Sequence, residues 1–239
     1  MRLTLLSGAL FLSAMGYGQD LKIPPLETTF EAGGQRIPVT AWGSLSNPSP
    51  EVFRLNLTAD LAGLQDNITP LLRSELNRSD RCGERISVDR GVLSPSEPGA
   101  LLTVNLRYER WGCAKVFGKE AVKRLVGGDA VVTVMLTPSA APEGIATAAE
   151  VRKIDADGSL GELLRSGSAG ASVKEKIANS IQNAIRKSLD MKSALPPSVA
   201  AVAAFEKVRF TTGPEGHLWI SADAALRLSA AEFQALVRR

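Results

Sequence analysis

Leu101-Leu102-Thr103-Val104-Asn105-Leu106-Arg107-Tyr108-Glu109-Arg110-Trp111 alternates apolar and polar side chains over most of its length. On a strand, where side chains point to opposite faces with a period of two, Leu102, Val104, Leu106 and Tyr108 share one face and Thr103, Asn105 and Arg107 the other. Just upstream, Ile86 to Leu93 is another β-type run. The connection between them, Ser94-Pro95-Ser96-Glu97-Pro98-Gly99, is rich in turn formers. Two such runs around a turn predict an antiparallel hairpin.

Working outward, the hairpin is flanked by the chain's two cysteines, Cys82 and Cys113. With the turn centred near Ser96 and Glu97, these residues fall almost opposite each other, within the reach of a disulfide. Closing a loop of about 30 residues would stabilise the fold by roughly 3–4 kcal/mol in the chain-entropy model. A disulfide requires an oxidising compartment, and the N-terminus predicts one. Met1-Arg2 is followed by a largely apolar stretch from Leu3 to Met15 and then by small residues, Ala14, Gly16 and Gly18. That pattern reads as a secretory signal peptide over 1–18, ahead of a single domain over 19–239. The expected location is secreted or periplasmic. No later stretch is apolar for long enough to suggest a transmembrane span in the mature chain.

Composition narrows the classes of function. Of 239 residues, 44% are apolar, 22% charged and 5% aromatic, with a single histidine. The apolar share is that of a globular chain. The formal charge of +3 is too small a surplus to argue for nucleic acid. One histidine and two cysteines are too few for a zinc site built on those ligands, so no metal is expected. A serine or cysteine hydrolase needs a histidine as base, and His217 reads instead as a residue at the end of a turn. Gly112-Cys-Ala-Lys-Val-Phe-Gly118-Lys119-Glu120 has its glycines one residue too far apart for a P-loop, and Glu120 stands where a hydroxyl would hold magnesium. Asp155-x-Asp157-Gly158 would put Lys153 and Leu164 at the first and last ligand positions of a calcium loop, so it reads as a turn. No catalytic residue and no cofactor is assigned, and a non-enzymatic protein is expected.

The remaining elements complete the outline. Arg36 to Trp42 and Val52 to Leu57 read as short strands. Leu61, Leu64, Ile68, Leu71, Leu72 and Leu76 recur at helical spacing, with Pro70 inside the pattern. A short helix is expected from Phe117 to Val126, ended by Gly127-Gly128. A hairpin follows, pairing Ala130–Thr137 with Ile145–Ile154. Then comes a long amphipathic helix striped by Val173, Ile177, Ile181 and Ile185. Phe205–Thr211 and Leu218–Leu228 form a third hairpin, and Ser229-Ala-Ala-Glu232 opens a terminal helix as a capping box. Helices beginning near 60, 117 and 172, each followed by a hairpin, suggest a repeated unit. The class is α+β: long antiparallel β-hairpins packed on amphipathic helices.

Basic residues crowd into one stretch. Arg107, Arg110, Lys115, Lys119, Lys123 and Arg124 stand against Glu109 and Glu120. Four apart, Lys115, Lys119 and Lys123 would make one stripe on a helix, which with Arg124 would receive phosphate headgroups or an acidic envelope polymer. The alternating strand 101–111, the helix Val173–Leu189, the following Leu195-Pro-Pro and the strand pair ending at Leu228 resemble the tubular lipid-binding (TULIP) superfamily in their order. That resemblance implies a long sheet wrapped around helices and enclosing an apolar groove. Two expectations of function follow. The first is a protein that holds a lipid or other hydrophobic small molecule between Leu102, Val104 and Leu106 on the sheet and Ile177, Ile181 and Ile185 on the helix. The alternative is an envelope protein-interaction or assembly module.

Overall fold

The computed structural model describes residues 20–32, 35–49, 52–79, 81–116, 119–141, 144–168, 170–172, 175, 178, 179, 183 and 203–227. The expected signal peptide, the stripe residues Ile177, Ile181 and Ile185, and the terminal capping box lie outside them. Positions 170–172, 175, 178, 179 and 183, within or next to the expected long helix, are helical. Among the described residues no helix is long and apolar enough to cross a membrane.

Two five-stranded antiparallel sheets make the frame. The first runs in the order β1 (Leu21–Ala32), β2 (Gln35–Ser49), β3 (Val52–Asp60), β10 (Leu218–Arg227), β9 (Ala203–Thr212). The second follows chain order: β4 (Arg78–Ser79), β5 (Gly83–Ser96), β6 (Gly99–Val116), β7 (Lys119–Ala141), β8 (Gly144–Ala156). Helix α1 (Ala62–Leu76) leads from the first sheet to the second, and α2 (Gly158–Arg165) follows β8.

The architecture is therefore mostly β, and the α+β expectation is overturned. The main cause is the stretch expected as a helix from Phe117 to Val126. From Lys119 onward it is the first half of β7, paired with β6 as Val116↔Lys119, Ala114↔Ala121 and Gly112↔Lys123. A four-residue spacing of lysines suits a helix, but four is also even, so the same residues alternate correctly along a strand. What decides between them is the long partner strand β6, a non-local effect that local spacing does not report. Gly127-Gly128 is not a helix end but lies within β7. A Cβ on Gly128 would come within 2.5 Å of the Asp157 carbonyl oxygen, so glycine there lets the start of α2 sit against the strand. The helix-and-hairpin repeat loses its middle helix.

Helix α1 is where the apolar spacing put it, and it runs through Pro70 with Leu64, Ile68, Leu71, Leu72 and Leu76 buried. The Asp60 carboxylate accepts from the Ala62 N–H at 2.8 Å and so caps its start. The helix fills the space between sheets: its leucines share one apolar cluster with Ile37 and Ile220 of the first sheet and with Leu102, Val104, Val132 and Val134 of the second. Each fully buried leucine of this kind contributes about 1.5–3 kcal/mol. A smaller cluster, including Phe53, Leu55, Leu57, Ala224 and Leu226, occupies the other end of the first sheet.

Side chains also cover sheet edges. Beyond the short β4, the edge of β5 is held by α1. Arg73 Nε donates to the Val88 carbonyl at 2.9 Å, Asn77 Oδ1 accepts from the Val88 N–H at 2.8 Å, and Thr69 Oγ1 bonds both the N–H and the carbonyl of Gly91. The edge of β9 is covered in the same way: Thr212 N–H donates to Glu97 Oε1 at 2.8 Å and Phe210 N–H to the Pro98 carbonyl at 3.0 Å. On β7, Ser159 Oγ bonds the N–H and carbonyl of Gly127 at 3.2 and 3.1 Å. Each bond satisfies a backbone group that would otherwise be a template for another strand.

Candidate functional site: the basic face of the stapled hairpin

Alternation carries the hairpin β5–β6 well past its core-facing half. Register pairs Ile86 with Tyr108, Arg85 with Glu109 and Gly83 with Trp111, and Cys82 is then joined to Cys113 by a disulfide across a Cα–Cα distance of 5.7 Å. The staple expected from the sequence is present, at the open end of the hairpin. Past the core-facing half, β5, β6 and β7 continue together as an arm, and β6 and β7 run a few residues beyond the staple.

Because opposed residues share a face, the odd-numbered side chains of β6 assemble the outer surface of this arm. Arg85 lies over the Trp111 ring, its guanidinium carbon 4.3 Å from the centroid. The Trp111 indole N–H donates to Glu109 Oε2 at 2.9 Å. Glu109 Oε1 meets Arg124 Nη1 at 3.3 Å and Arg107 Nε at 3.4 Å. The Trp111 N–H, with Arg124 and Arg107 behind it, holds the Glu109 carboxyl below its ordinary value against the opposing effect of burial. Lys115, opposite Glu120 in register, adds a further cation to this face. Arg107 also faces Asp129, opposite it in register, with Nη1 3.9 Å from Oδ1. The four cations stand against Glu109, Asp129 and Glu120, and the central carboxylate, Glu109, is already engaged.

On the reverse face Tyr108 is buried and donates to Glu84 at 3.2 Å. Burial, reinforced by the charge and hydrogen bond of Glu84, pushes its phenol up to about 12.

The structure divides the residues expected to form one basic stripe. Arg124 opposes Trp111 and Lys115 opposes Glu120, placing both on the outer face. Lys123 opposes Gly112 and Lys119 opposes Val116, placing both at positions of the other face. The correction follows directly from the loss of the helix. Arg85 was missed, and so was the part played by Trp111: a register taken from the cysteine pair puts Arg85 opposite Arg110, and it is the slip between Val88 and Arg90 that brings Arg85 opposite Glu109, on the face of Trp111.

Leu102, Val104 and Leu106, expected to line an apolar ligand, are 0%, 0% and 5% exposed and share one cluster with Ile68, Leu71 and Leu72 of α1. Toward the body of the second sheet the charge reverses. A cleft of about 740 Å³ between the end of α1 and strands β5–β8 is lined by Arg73, Arg107, Asp89, Asp129 and Asp155 among others. His217, at the head of β10, places Nδ1 3.1 Å from Asp60 Oδ2, the carboxylate that also caps α1. It braces a strand end against a helix start. Among the described residues no group of three or more His, Cys, Asp or Glu side chains is placed to hold a metal ion. Comparison with protein-family models, with curated proteins and with solved structures finds no match.

Proposed function

We propose that this chain is an exported, non-catalytic binding module that engages an anionic partner through the basic face of its stapled hairpin. The observation that carries the reading is the grouping of Arg85, Arg107, Arg124 and Lys115 around Trp111, with Glu109 already held by the indole and two guanidiniums. Arginine matches phosphate and carboxylate geometry and is weakly hydrated, which suits it to such recognition. The disulfide ties β5 to β6 beside Trp111, so less ordering of this face is needed on binding. The signal-type N-terminus and the disulfide support export. An apolar ligand beside Leu102, Val104 and Leu106 would require α1 to leave the core, whereas the basic face needs no opening.

The test is binding of inorganic polyphosphate at low salt to the wild type and to the Arg107→Glu/Arg124→Glu variant. We expect at least a tenfold loss in the variant, with unchanged circular dichroism. Absence of binding to the wild type, or equal binding by both proteins, would overturn the reading.

A further inference from the structure

Among the described residues, three stretches of strand edge are covered by side chains or a turn: β5 by Thr69, Arg73 and Asn77, β9 by Glu97 and Pro98, and β7 at Gly127 by Ser159. Among the described residues the outer edges of β1 and β8 have no strand beside them, and neither does one further stretch, on β7. β8 pairs with β7 only as far as Ala130↔Ala156, and among the described residues no strand pairs with Lys119–Val126 on that side. Ala121, Lys123, Arg124 and Leu125 are exposed there, Leu125 at 58%.

The direction of the unpaired groups can be derived. Gly127 turns its N–H and carbonyl away from β6, since Ser159 bonds both. Antiparallel strands alternate residues that bond the partner with residues that face away. The register slips by one residue where Arg110 pairs with Val126 and Trp111 with Arg124, leaving Leu125 as the extra residue of a bulge. Counting past it, Arg124, Val122 and Glu120 turn their backbone groups outward. Lys119, Ala121, Lys123 and Val126 bond β6 instead.

Charge selects the partner. Lys123 flanks this edge on one face and Arg124 on the other, with Lys115 on the neighbouring strand β6 and Arg85 on β5 beyond it; Glu120, opposite Lys115, is the one acidic residue of the run, and Glu109 is already held. From this edge, beside which the described residues place no strand, and its net cationic flanks we infer that the partner is an acidic, extended protein segment that adds as a strand to β7 at Lys119–Val126. Strand addition supplies affinity through the main chain, and flanking side chains supply specificity. The inference rests on the basic-face reading above and names its partner.

The experiment uses a synthetic peptide of alternating Glu and Val, with a Gln–Val peptide as control, on the full folded chain. Hydrogen exchange should show the amides of Glu120, Val122 and Arg124 becoming protected when the acidic peptide is added, and the protection should fade with salt. Val122→Pro removes one outward N–H without touching the bonds to β6, and Lys123→Glu reverses a flanking charge. Each should weaken peptide binding at least tenfold. In Val122→Pro polyphosphate binding should stay unchanged, which also shows that this variant folds. Polyphosphate binding without protection of the three amides, peptide binding unaffected by Val122→Pro, or binding to phosphatidylglycerol vesicles but not to the peptide would each overturn strand addition while leaving the basic-face reading in place. Failure of every anionic probe would overturn both.

Discussion

Tyr108 and Glu109 are neighbours in sequence and opposites in environment. One points into the core and the other onto the arm's outer face, so burial raises the phenol while an indole N–H lowers the carboxyl. Tyr108 offers a clean readout because the chain has two tyrosines and the other, Tyr17, belongs to the expected signal segment. In a chain beginning after residue 18, phenolate absorbance should rise near pH 12 rather than at the ordinary phenol value of about 10. A folded-state value above the unfolded one means the stabilisation is complete below about pH 10 and is lost as pH rises toward 12. A titration at the ordinary phenol value would show that Tyr108 is not buried. For Glu109 the sign is reversed: its contribution holds above the ordinary carboxylate range and fades as acid lowers the pH through its depressed value.

The elements show how far local patterns reach. The hairpin around Ser94–Gly99, the hairpins β7–β8 and β9–β10, and helix α1 were all legible, because each is defined by near neighbours and a clear period. The first half of β7 was not, because Lys119-Glu120-Ala121-Val122-Lys123-Arg124 fits both periods and its state is set by β6. β1 was missed as well. It is an edge strand with Pro24 and Pro25 at a register shift between Ile23 and Leu26, a place where proline is tolerated but which a proline-rich stretch does not advertise. The disulfide was legible by counting from the turn, and its energetic role can be tested on the element it ties. Replacing Cys82 and Cys113 by serine together should cost roughly 3–4 kcal/mol of stability. Hydrogen exchange should then quicken first in the arm around Trp111 and Val122. Equal loss of protection throughout the core would show that the bridge does more than hold the arm.

At the scale of the whole molecule, the sheets and α1 behave as one packed body, since a single apolar cluster draws on all three. Leu71, fully buried at its centre, should therefore act globally: Leu71→Ala is expected to lower stability by about 2–5 kcal/mol. Calorimetry should show one transition shifted down in temperature, and two separated transitions would refute the common core. Class was the level at which the sequence misled. Counting amphipathic segments suggested helices beside every hairpin, yet the second of three was a strand, and the balance moved to β. The basic arm was visible as composition long before its geometry was, because charge is local and facing is not.

Chain order gives the covered edge of β5 a meaning in time. Thr69, Arg73 and Asn77 precede Val88 and Gly91 in the sequence, so during synthesis the covering side chains leave the ribosome before the edge they will cover. Once α1 has formed, β5 emerges beside a ready partner. It need not wait unpaired in a crowd of other nascent chains, where exposed edges invite misassembly.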